Sequence, residues 1–228
     1  GREEVCVLLP TGMEAIEAWR SPYAAGHRTF KWKIGVNSLA QELAWFLDLM
    51  GGLPEDAMVR LDANGGLTWD AAGCWLEVCD RFPNVEFLEQ PLPPEQFEAM
   101  QNLQQHYRTA IALDESVAHL RDLEACYAAG WRGIFVVKVA IAGSPQRLRA
   151  FCRQPGVDVV LSSVFETAIG QKYILQHLAR SLMPGQNLRV PGFGVNHWFA
   201  ESALDHPDFD HQWQSLKPSC NTDSPMIG

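Results

Sequence analysis

Five charged residues stand where apolar segments of strand length end, at positions that the pattern would otherwise fill with Val or Leu. They are Lys33, Asp62, Glu89, Asp114 and Lys138. The intervals between them are 29, 27, 25 and 24 residues, each suited to one strand, one helix and their loops. In a barrel of parallel strands, the carboxyl ends of consecutive strands lie at one level of the mouth. The spacing therefore predicts a ring of charge in the order cation, three anions, cation.

The three acidic residues of this ring have the chemistry of a metal site. Carboxylates a few ångströms apart repel by about 4 kcal/mol per pair at an effective dielectric near 20, and a divalent cation offsets that repulsion. The set Asp62, Glu89 and Asp114 contains no His or Cys. All-oxygen ligands favour Mg²⁺, with Mn²⁺ as an alternative. With three protein ligands, the metal keeps open positions for water or a substrate.

The lysines of the ring fit proton transfer beside that metal. Lys31 shares a strand face with Lys33, and Lys138 lies at the far end of the ring. A partly desolvated lysine near other cations has a lowered pKa, which suits a general base. We expect the metal to hold a substrate carboxylate while a lysine removes the neighbouring α-proton. Negative charge that develops on the carboxylate oxygens is then stabilised by the metal.

Each of these residues has a plainer explanation when it is taken alone. An Asp after a strand is most often a turn former or a helix N-cap, which applies to Asp62 and Asp114. A lysine such as Lys33 or Lys138 can extend its ammonium to solvent. Five such endings in register on consecutive strands are hard to explain by turn chemistry. The hypothesis of a catalytic site depends on the whole set.

The elements that must position this ring alternate between strand and helix. Eight apolar runs predict strands: Val5–Leu9, Thr29–Gly35, Met58–Leu61, Val85–Leu88, Ile111–Leu113, Gly133–Ile141, Asp158–Leu161 and Leu188–Val190. Helical periodicity lies between them, at Leu39–Leu47, Ala71–Phe82, Gln96–Tyr107, Leu120–Ala129 and Lys172–Leu182. Helix starts are predicted at Ser38, Thr68, Pro94 and Ser144.

Strands that are apolar throughout indicate burial on both faces and therefore a parallel sheet. Eight such units favour an α/β fold of the TIM-like (β/α) barrel type over a doubly wound sheet. We assign residues 1–200 to the barrel domain. Residues 201–228 are polar and contain several prolines, so we expect an irregular C-terminal tail.

Composition narrows the class of partner. The net charge is −9, and no cluster of Lys and Arg suggests a surface for nucleic acid or for an anionic membrane. The six cysteines are scattered without a Cys-x-x-Cys pair, as expected for free thiols in a reducing cytoplasm. No signal peptide or apolar span is recognisable. We expect a small-molecule carboxylate substrate, and the sequence does not predict an oligomeric state.

The motifs around the ring resemble the enolase superfamily, and within it the muconate-lactonising subgroup. The resemblance covers about residues 5 to 195. In detail, the motifs look most like those of the o-succinylbenzoate synthases. The resemblance rests on Lys31-Trp-Lys33, Leu61-Asp-Ala-Asn-Gly65, Phe87-Leu-Glu-Gln-Pro91, Leu113-Asp-Glu-Ser116, Val137-Lys-Val-Ala-Ile-Ala-Gly143 and Ser162-Ser-Val-Phe-Glu-Thr167.

The resemblance implies an activity and a role for each residue. The implied reaction is Mg²⁺-dependent dehydration of 2-succinyl-6-hydroxy-2,4-cyclohexadiene-1-carboxylate to o-succinylbenzoate, in menaquinone or phylloquinone biosynthesis. The resemblance implies that Lys33 is the general base and that Lys138 is a cation that stabilises the enolate. The resemblance also implies metal ligands and substrate contacts. These are Asp62, Glu89 and Asp114 for the metal, and Lys31, Asn64, Ser162 and Ser163 for the substrate.

One departure from that family is expected to matter. Its members carry an N-terminal capping domain that closes the barrel mouth, and the residues before Val5 are too few to form one. Catalysis by the lysines needs water to be excluded. We therefore expect poor turnover from these 228 residues alone.

Three other functions stay open from the residues. An N-acylamino acid racemase or dipeptide epimerase would use the same two lysines as opposed acid and base. Dipeptide epimerases usually have Asp-x-Asp on the eighth strand, where this chain has Phe193-Gly-Val195. A Schiff-base enzyme could use Lys138, although it leaves the three carboxylates unexplained. A non-catalytic barrel is the remaining alternative.

Overall fold

Seven parallel strands form one curved sheet in the computed structural model. It describes residues 5–164, 170, 173–174, 179–182 and 189–192. The strands are β1 (Val7–Leu8), β2 (Thr29–Lys33), β3 (Met58–Asp62), β4 (Val85–Glu89), β5 (Ala110–Leu113), β6 (Ile134–Lys138) and β7 (Asp158–Ser162). They pair in sequence order, each parallel to the next. This confirms the predicted α/β class and the parallel sheet.

A short segment lies between the two edges of this sheet. The Gly192 amide donates to the Leu161 carbonyl at 2.8 Å, and the Cys6 amide donates to the Pro191 carbonyl at 2.9 Å. Ser162 and Gly192 also form a parallel bridge. Residues 191–192 are therefore hydrogen-bonded both to β7 and to the residue before β1, as in a sheet that closes on itself.

The helices cover the outer face of the sheet. They are α1 (Ala15–Ala18), α2 (Arg20–Ala24), α3 (Leu39–Gly52), α4 (Trp69–Cys79), α5 (Phe97–His106), α6 (Leu120–Ala128), α7 (Val139–Ala142), α8 (Pro145–Cys152) and α9 (Ala179–Leu182), with 3-10 helices at Gly12–Glu14, Pro94–Gln96 and Glu115–Val117. The Thr68 hydroxyl accepts from the Ala71 amide and the Ser144 hydroxyl from the Arg147 amide, so two of the four predicted helix starts have a side-chain cap. None of the described helices has the length and apolar character needed to cross a bilayer.

Two separate apolar clusters show that the sheet is buried on both faces. The larger lies between strands and helices, and Trp32 joins it by meeting Trp75 of α4 edge-on at 6.3 Å between ring centroids. The smaller fills the concave side of the sheet. Its members are Phe87, Ala112, Ile134, Val136 and Val160. Because strand neighbours alternate between faces, Trp32 points outward as expected and leaves both adjacent lysines on the concave side.

A second group of charges lies inside the sheet toward the amino ends of the strands. We call Arg60, Glu86, Asp158 and Arg189 the base cluster. The pairing of β3 with β4 shifts by one residue at Glu86, a β-bulge. Glu86 accepts from Arg60 at 2.6 Å and from Arg189 at 2.5 Å. Arg189 also forms two hydrogen bonds with Asp158, at 2.9 and 2.7 Å.

Some predicted bounds were wrong. The strand predicted for Gly133–Ile141 ends at Lys138, and Val139–Ala142 forms a helical turn. Two of its four residues are alanines, which favour helix once the chain leaves the sheet. The strand predicted for Leu188–Val190 is displaced, since Arg189 and Val190 are outside any strand and the bridge forms at Gly192. Leu188, part of the helix predicted for Lys172–Leu182, and the predicted tail 201–228 lie outside the described residues.

Candidate active site

The carboxyl ends of β2, β3 and β4 bring the first members of the ring side by side. Lys33 is paired in register with Asp62, and Asp62 with Glu89. A cavity of about 600 Å³ opens there. It is lined by Leu8, Leu9, Pro10, Thr11, Lys31, Lys33 and Asp62. The structure therefore places both lysines of the Lys-x-Lys motif and one predicted metal ligand at one solvent-accessible concavity.

Lysine ammonium groups lie among all three carboxylates. The Lys31 Nζ is 2.7 Å from Asp62 Oδ2 and 2.7 Å from Glu89 Oε1. The Lys138 Nζ is 2.7 Å from Asp114 Oδ1. Asp62, Glu89 and Asp114 are 9%, 2% and 8% exposed. Carboxylates are seldom so buried unless they are paired, so these lysines compensate charges that the fold removes from water.

Burial and neighbouring charges change the proton affinity of this group. Burial raises the pKa of Glu89, Lys31 opposes that shift, and the charges of Asp62 and Asp114 add to it. Burial disfavours the charged form of Lys31, but Glu89 and Asp62 outweigh it and raise its pKa above the ordinary value. The lowered pKa that we expected for lysines of the ring is therefore wrong for Lys31, because two carboxylates surround its ammonium.

The donor set is chemically suited to a divalent cation, although it is not gathered as a finished metal cage. Among the residues described, no three His, Cys, Asp or Glu side chains are arranged to hold a metal ion. Lys31 instead bridges two of the predicted ligands. Asp114 Oδ1 is buried without a hydrogen-bond partner, its contact with Lys138 being an ion pair only. An anionic oxygen in that state and the oxygen-only ligand set fit Mg²⁺.

The predicted substrate contacts are at the same end of the sheet. Asn64 is exposed, and its side chain donates to Glu115 at 3.1 Å while its amide donates to Asp62 Oδ1 at 3.0 Å. Ser162 pairs in register with Lys138, and its hydroxyl lies 3.5 Å from the Gly192 carbonyl. Ser163 follows at the end of β7 and is half-buried. All three lie at the mouth, where a substrate would bind.

Two polar residues that the sequence analysis did not select support the mouth. Glu42 of α3 is 1% exposed, and its carboxylate accepts from the amides of Gly35, Val36 and Asn37 at 2.7 to 2.9 Å. It therefore holds the loop that follows Lys33. Gln90, directly after Glu89, is fully buried. The position of Gln90 in a Glu-Gln-Pro sequence at a strand end could have indicated its role. For Glu42, the only such signal was a charged residue in an otherwise apolar helix.

Comparison with known proteins shows the family to which this chain belongs. A family described as enolase C-terminal domain-like matches residues 14–212. The chain belongs to this family. An o-succinylbenzoate synthase of Thermosynechococcus vestitus is 41% identical over 220 residues, which are 93% of this chain and 66% of that relative. Muconate cycloisomerase 1 of Pseudomonas putida is 28% identical over 165 residues, 70% of this chain and 43% of the relative.

Solved structures of family members agree with the fold. The o-succinylbenzoate synthase of Thermosynechococcus elongatus, in complex with Mg in its active site, superposes with a TM-score of 0.81 at 37% identity. That match covers 95% of this chain and 68% of the other. Muconate lactonizing enzyme from Pseudomonas putida gives a TM-score of 0.70 at 25% identity, covering 84% of this chain and 53% of that one. The chain thus spans about two thirds or less of these relatives' length.

Proposed function

We propose that this chain is the catalytic barrel of an o-succinylbenzoate synthase. The reaction is the Mg²⁺-dependent dehydration of 2-succinyl-6-hydroxy-2,4-cyclohexadiene-1-carboxylate to o-succinylbenzoate. The observation that carries this proposal is the charged ring at one mouth of the sheet, in a chain 41% identical to a synthase of that name. Asp62, Glu89 and Asp114 would hold the metal, which supplies positive charge to the substrate carboxylate.

The contacts of the two lysines on β2 divide their roles. Lys31 is fixed between Asp62 and Glu89, and an ammonium held by two carboxylates keeps its proton. Lys33 is exposed and lines the cavity, and none of the ion pairs found in the described part of the chain involves it. We therefore assign proton removal at the α-carbon to Lys33 and substrate contact to Lys31. Departure of hydroxide from the neighbouring carbon then completes the aromatic ring.

The remaining roles follow from position at the mouth. Lys138 supplies a cation that stabilises the enolate, and its ion pair with Asp114 keeps it at the carboxyl end of β6. Asn64, Ser162 and Ser163 contact the substrate. We assign residues 1–200 to a TIM-like (β/α) barrel, an assignment that the hydrogen bonds of residues 191–192 to both sheet edges support. The enzyme acts in the cytoplasm, in menaquinone or phylloquinone biosynthesis. Its metal is Mg²⁺, with Mn²⁺ as the alternative.

The experiment that tests this function measures dehydration in the longest natural chain that contains these residues. The cyclohexadiene substrate is supplied with Mg²⁺, with and without a chelator, and aromatic product is followed by absorbance. The same protein is incubated in D₂O with N-succinylamino acids. Dehydration that chelation and Asp114→Asn both abolish supports the synthase. An Arg121→Ala variant is the matched control, because that side chain is exposed and its one ion pair among the described residues is with Asp122.

The racemase is the second candidate, because Lys33 and Lys138 are both at the mouth and could act as opposed acid and base. Deuterium that enters an N-succinylamino acid, with no dehydration of the cyclohexadiene, would replace the synthase by a racemase on the same metal site. Failure of both reactions in a protein that binds Mg²⁺ would contradict both assignments.

A further inference from the structure

Gln90 lies at the junction of the three strand ends that carry the predicted metal ligands. It follows Glu89 directly and is 0% exposed. Its backbone φ is +37°, in the left-handed region that residues with a side chain seldom adopt. Such a conformation costs free energy and persists only where surrounding contacts enforce it, most often at functional sites. The cause of this conformation is therefore to be sought in what Gln90 contacts.

The backbone of Gln90 contacts the strands on both sides of β4. Its amide donates to the Ala112 carbonyl at 2.7 Å, which ties it to β5 two residues before Asp114. Its carbonyl accepts from the Gly65 amide at 2.7 Å, which holds the turn after Asp62. In this conformation the backbone of Gln90 is hydrogen-bonded to β5 on one side and to the turn after β3 on the other.

The side chain of Gln90 uses its acceptor and its donors in different directions. Its Oε1 accepts from the amides of Asp114 at 2.9 Å and Ser116 at 3.2 Å. Its Nε2 donates to the Leu92 carbonyl at 2.9 Å and to the Ser116 hydroxyl at 2.7 Å. A carboxylate has no donor for the latter pair, and an apolar side chain leaves all four groups unpaired. Only a carboxamide of this length satisfies the arrangement.

We propose that Gln90 is a positioning residue that fixes Asp62, Glu89 and Asp114 relative to one another and thereby sets the affinity of the mouth for a divalent cation. Gln90 touches neither a substrate nor the reacting atoms, so its effect passes through the backbone at each ligand. Groups that orient metal ligands typically change affinity by about 10–100-fold when they are replaced. This inference rests on the metal site of the proposed function.

The test compares two glutamines whose side chains form hydrogen bonds at opposite ends of β5. Gln104 accepts from the Ile111 amide at 2.6 Å, near the start of β5 and away from the mouth. Gln90→Met and Gln104→Met therefore remove the same carboxamide from β5 at its two ends. Binding of Mn²⁺ is measured by electron paramagnetic resonance in the longest natural chain, alongside thermal unfolding without metal. The kcat and the KM for Mg²⁺ are measured separately.

We expect Gln90→Met to weaken Mn²⁺ binding by about 10–100-fold and to raise the KM for Mg²⁺ similarly. Gln104→Met is expected to lower the unfolding temperature while leaving Mn²⁺ binding unchanged. Should Gln90→Met fail to fold, Ser116→Ala removes only one partner of the carboxamide and is expected to weaken Mn²⁺ binding severalfold.

Two kinds of result would overturn the inference. Equal Mn²⁺ affinity in Gln90→Met and the unsubstituted protein, or equal losses in both glutamine variants, would make Gln90 a purely structural residue. If the unsubstituted protein shows no Mn²⁺ binding that Asp62→Asn removes, the metal site of the proposed function fails and the role of Gln90 fails with it.

Discussion

The two ends of the sheet carry charge clusters that share β3 and β4, and they differ in their access to a cavity and in the cations that they use. In the base cluster, arginines make several short contacts with carboxylates, and Arg60 is 2% exposed. At the mouth, lysines meet the carboxylates beside a cavity of about 600 Å³, and Asp114 Oδ1 has no hydrogen bond. Among the described residues, each cluster has one buried side-chain atom without a hydrogen bond, since Arg60 Nη2 also lacks one. Access to a cavity and the kind of cation therefore distinguish the two ends, whereas burial of charge does not.

The choice of cation reinforces this difference. A guanidinium is always charged and matches carboxylates with a planar fork, so it suits a permanent ion pair. An ammonium is a compact charge that can give up its proton when its surroundings change. In the base cluster, Arg189 joins Glu86 to Asp158. At the mouth, the cations that β2 contributes are Lys31 and Lys33. Predictions that separate the two ends test whether stability and catalysis are divided between them.

The largest expected effect is on catalysis at the mouth. Lys33→Met removes the proposed general base. It should lower kcat by about 10²–10⁴-fold, which is the usual contribution of such a group. The unfolding temperature should change little, because Lys33 is exposed. Steady-state kinetics and circular dichroism melting measure the two quantities. An active Lys33→Met protein would mean that another residue is the general base.

A loss of stability of about 3 kcal/mol is expected at the base. Glu86→Gln leaves the buried Arg60 without its carboxylate, and breaking one side of a buried ion pair costs about 3–5 kcal/mol. Urea unfolding measures it, and kcat of the folded protein should be unchanged. Glu77→Gln breaks an exposed pair with Arg81 as the matched control and should have almost no effect. A large fall in kcat at full stability would contradict the division.

Metal should stabilise the mouth by a somewhat smaller amount. A ligand that binds only the folded state adds about 2.7 kcal/mol at 100 times its Kd. Mg²⁺ should therefore raise the unfolding temperature, and chelation should reverse the gain. Asp114→Asn should abolish this response and Glu86→Gln should keep it. A response that survives Asp114→Asn would place the metal elsewhere.

The smallest effect concerns acid stability at the base. Asp80, at the end of α4, is half-buried. Burial raises its pKa, but the hydrogen bonds from Arg108 and Thr109 together outweigh that and lower its pKa. A depressed pKa gives stability that is present above the unfolded value and is lost as pH falls through the folded value. Asp80→Asn should cost about 1 kcal/mol at neutral pH and progressively less in acid.

Urea unfolding of both proteins at several pH values measures this difference. The pH dependence of kcat should be the same in both, because Asp80 is at the end of the sheet opposite the mouth. A difference in stability that grows as the pH falls would contradict the assignment.

Much of the fold and of the mouth could be predicted from local sequence. Apolar strands, helix caps such as Thr68, and charges at strand ends are signals within a few residues, and the period of one strand and one helix placed Lys33, Asp62 and Glu89 in adjacent register. The bounds that failed, at Val139–Ala142 and near Gly192, are places where the chain leaves or joins the sheet. There the pairing partner decides the conformation, and local propensity does not.

The sequence by itself determined which residues end the strands and that three carboxylates and the lysines meet at one edge of a parallel sheet. Only the tertiary structure decided that Lys31 lies between two carboxylates, that Glu86 is turned inward by a bulge, and that Gln90 joins three strand ends. The physical reason is range. Periodicity records which face a residue occupies, whereas hydrogen bonds and ion pairs between residues 24 to 103 positions apart depend on how the strands are set together.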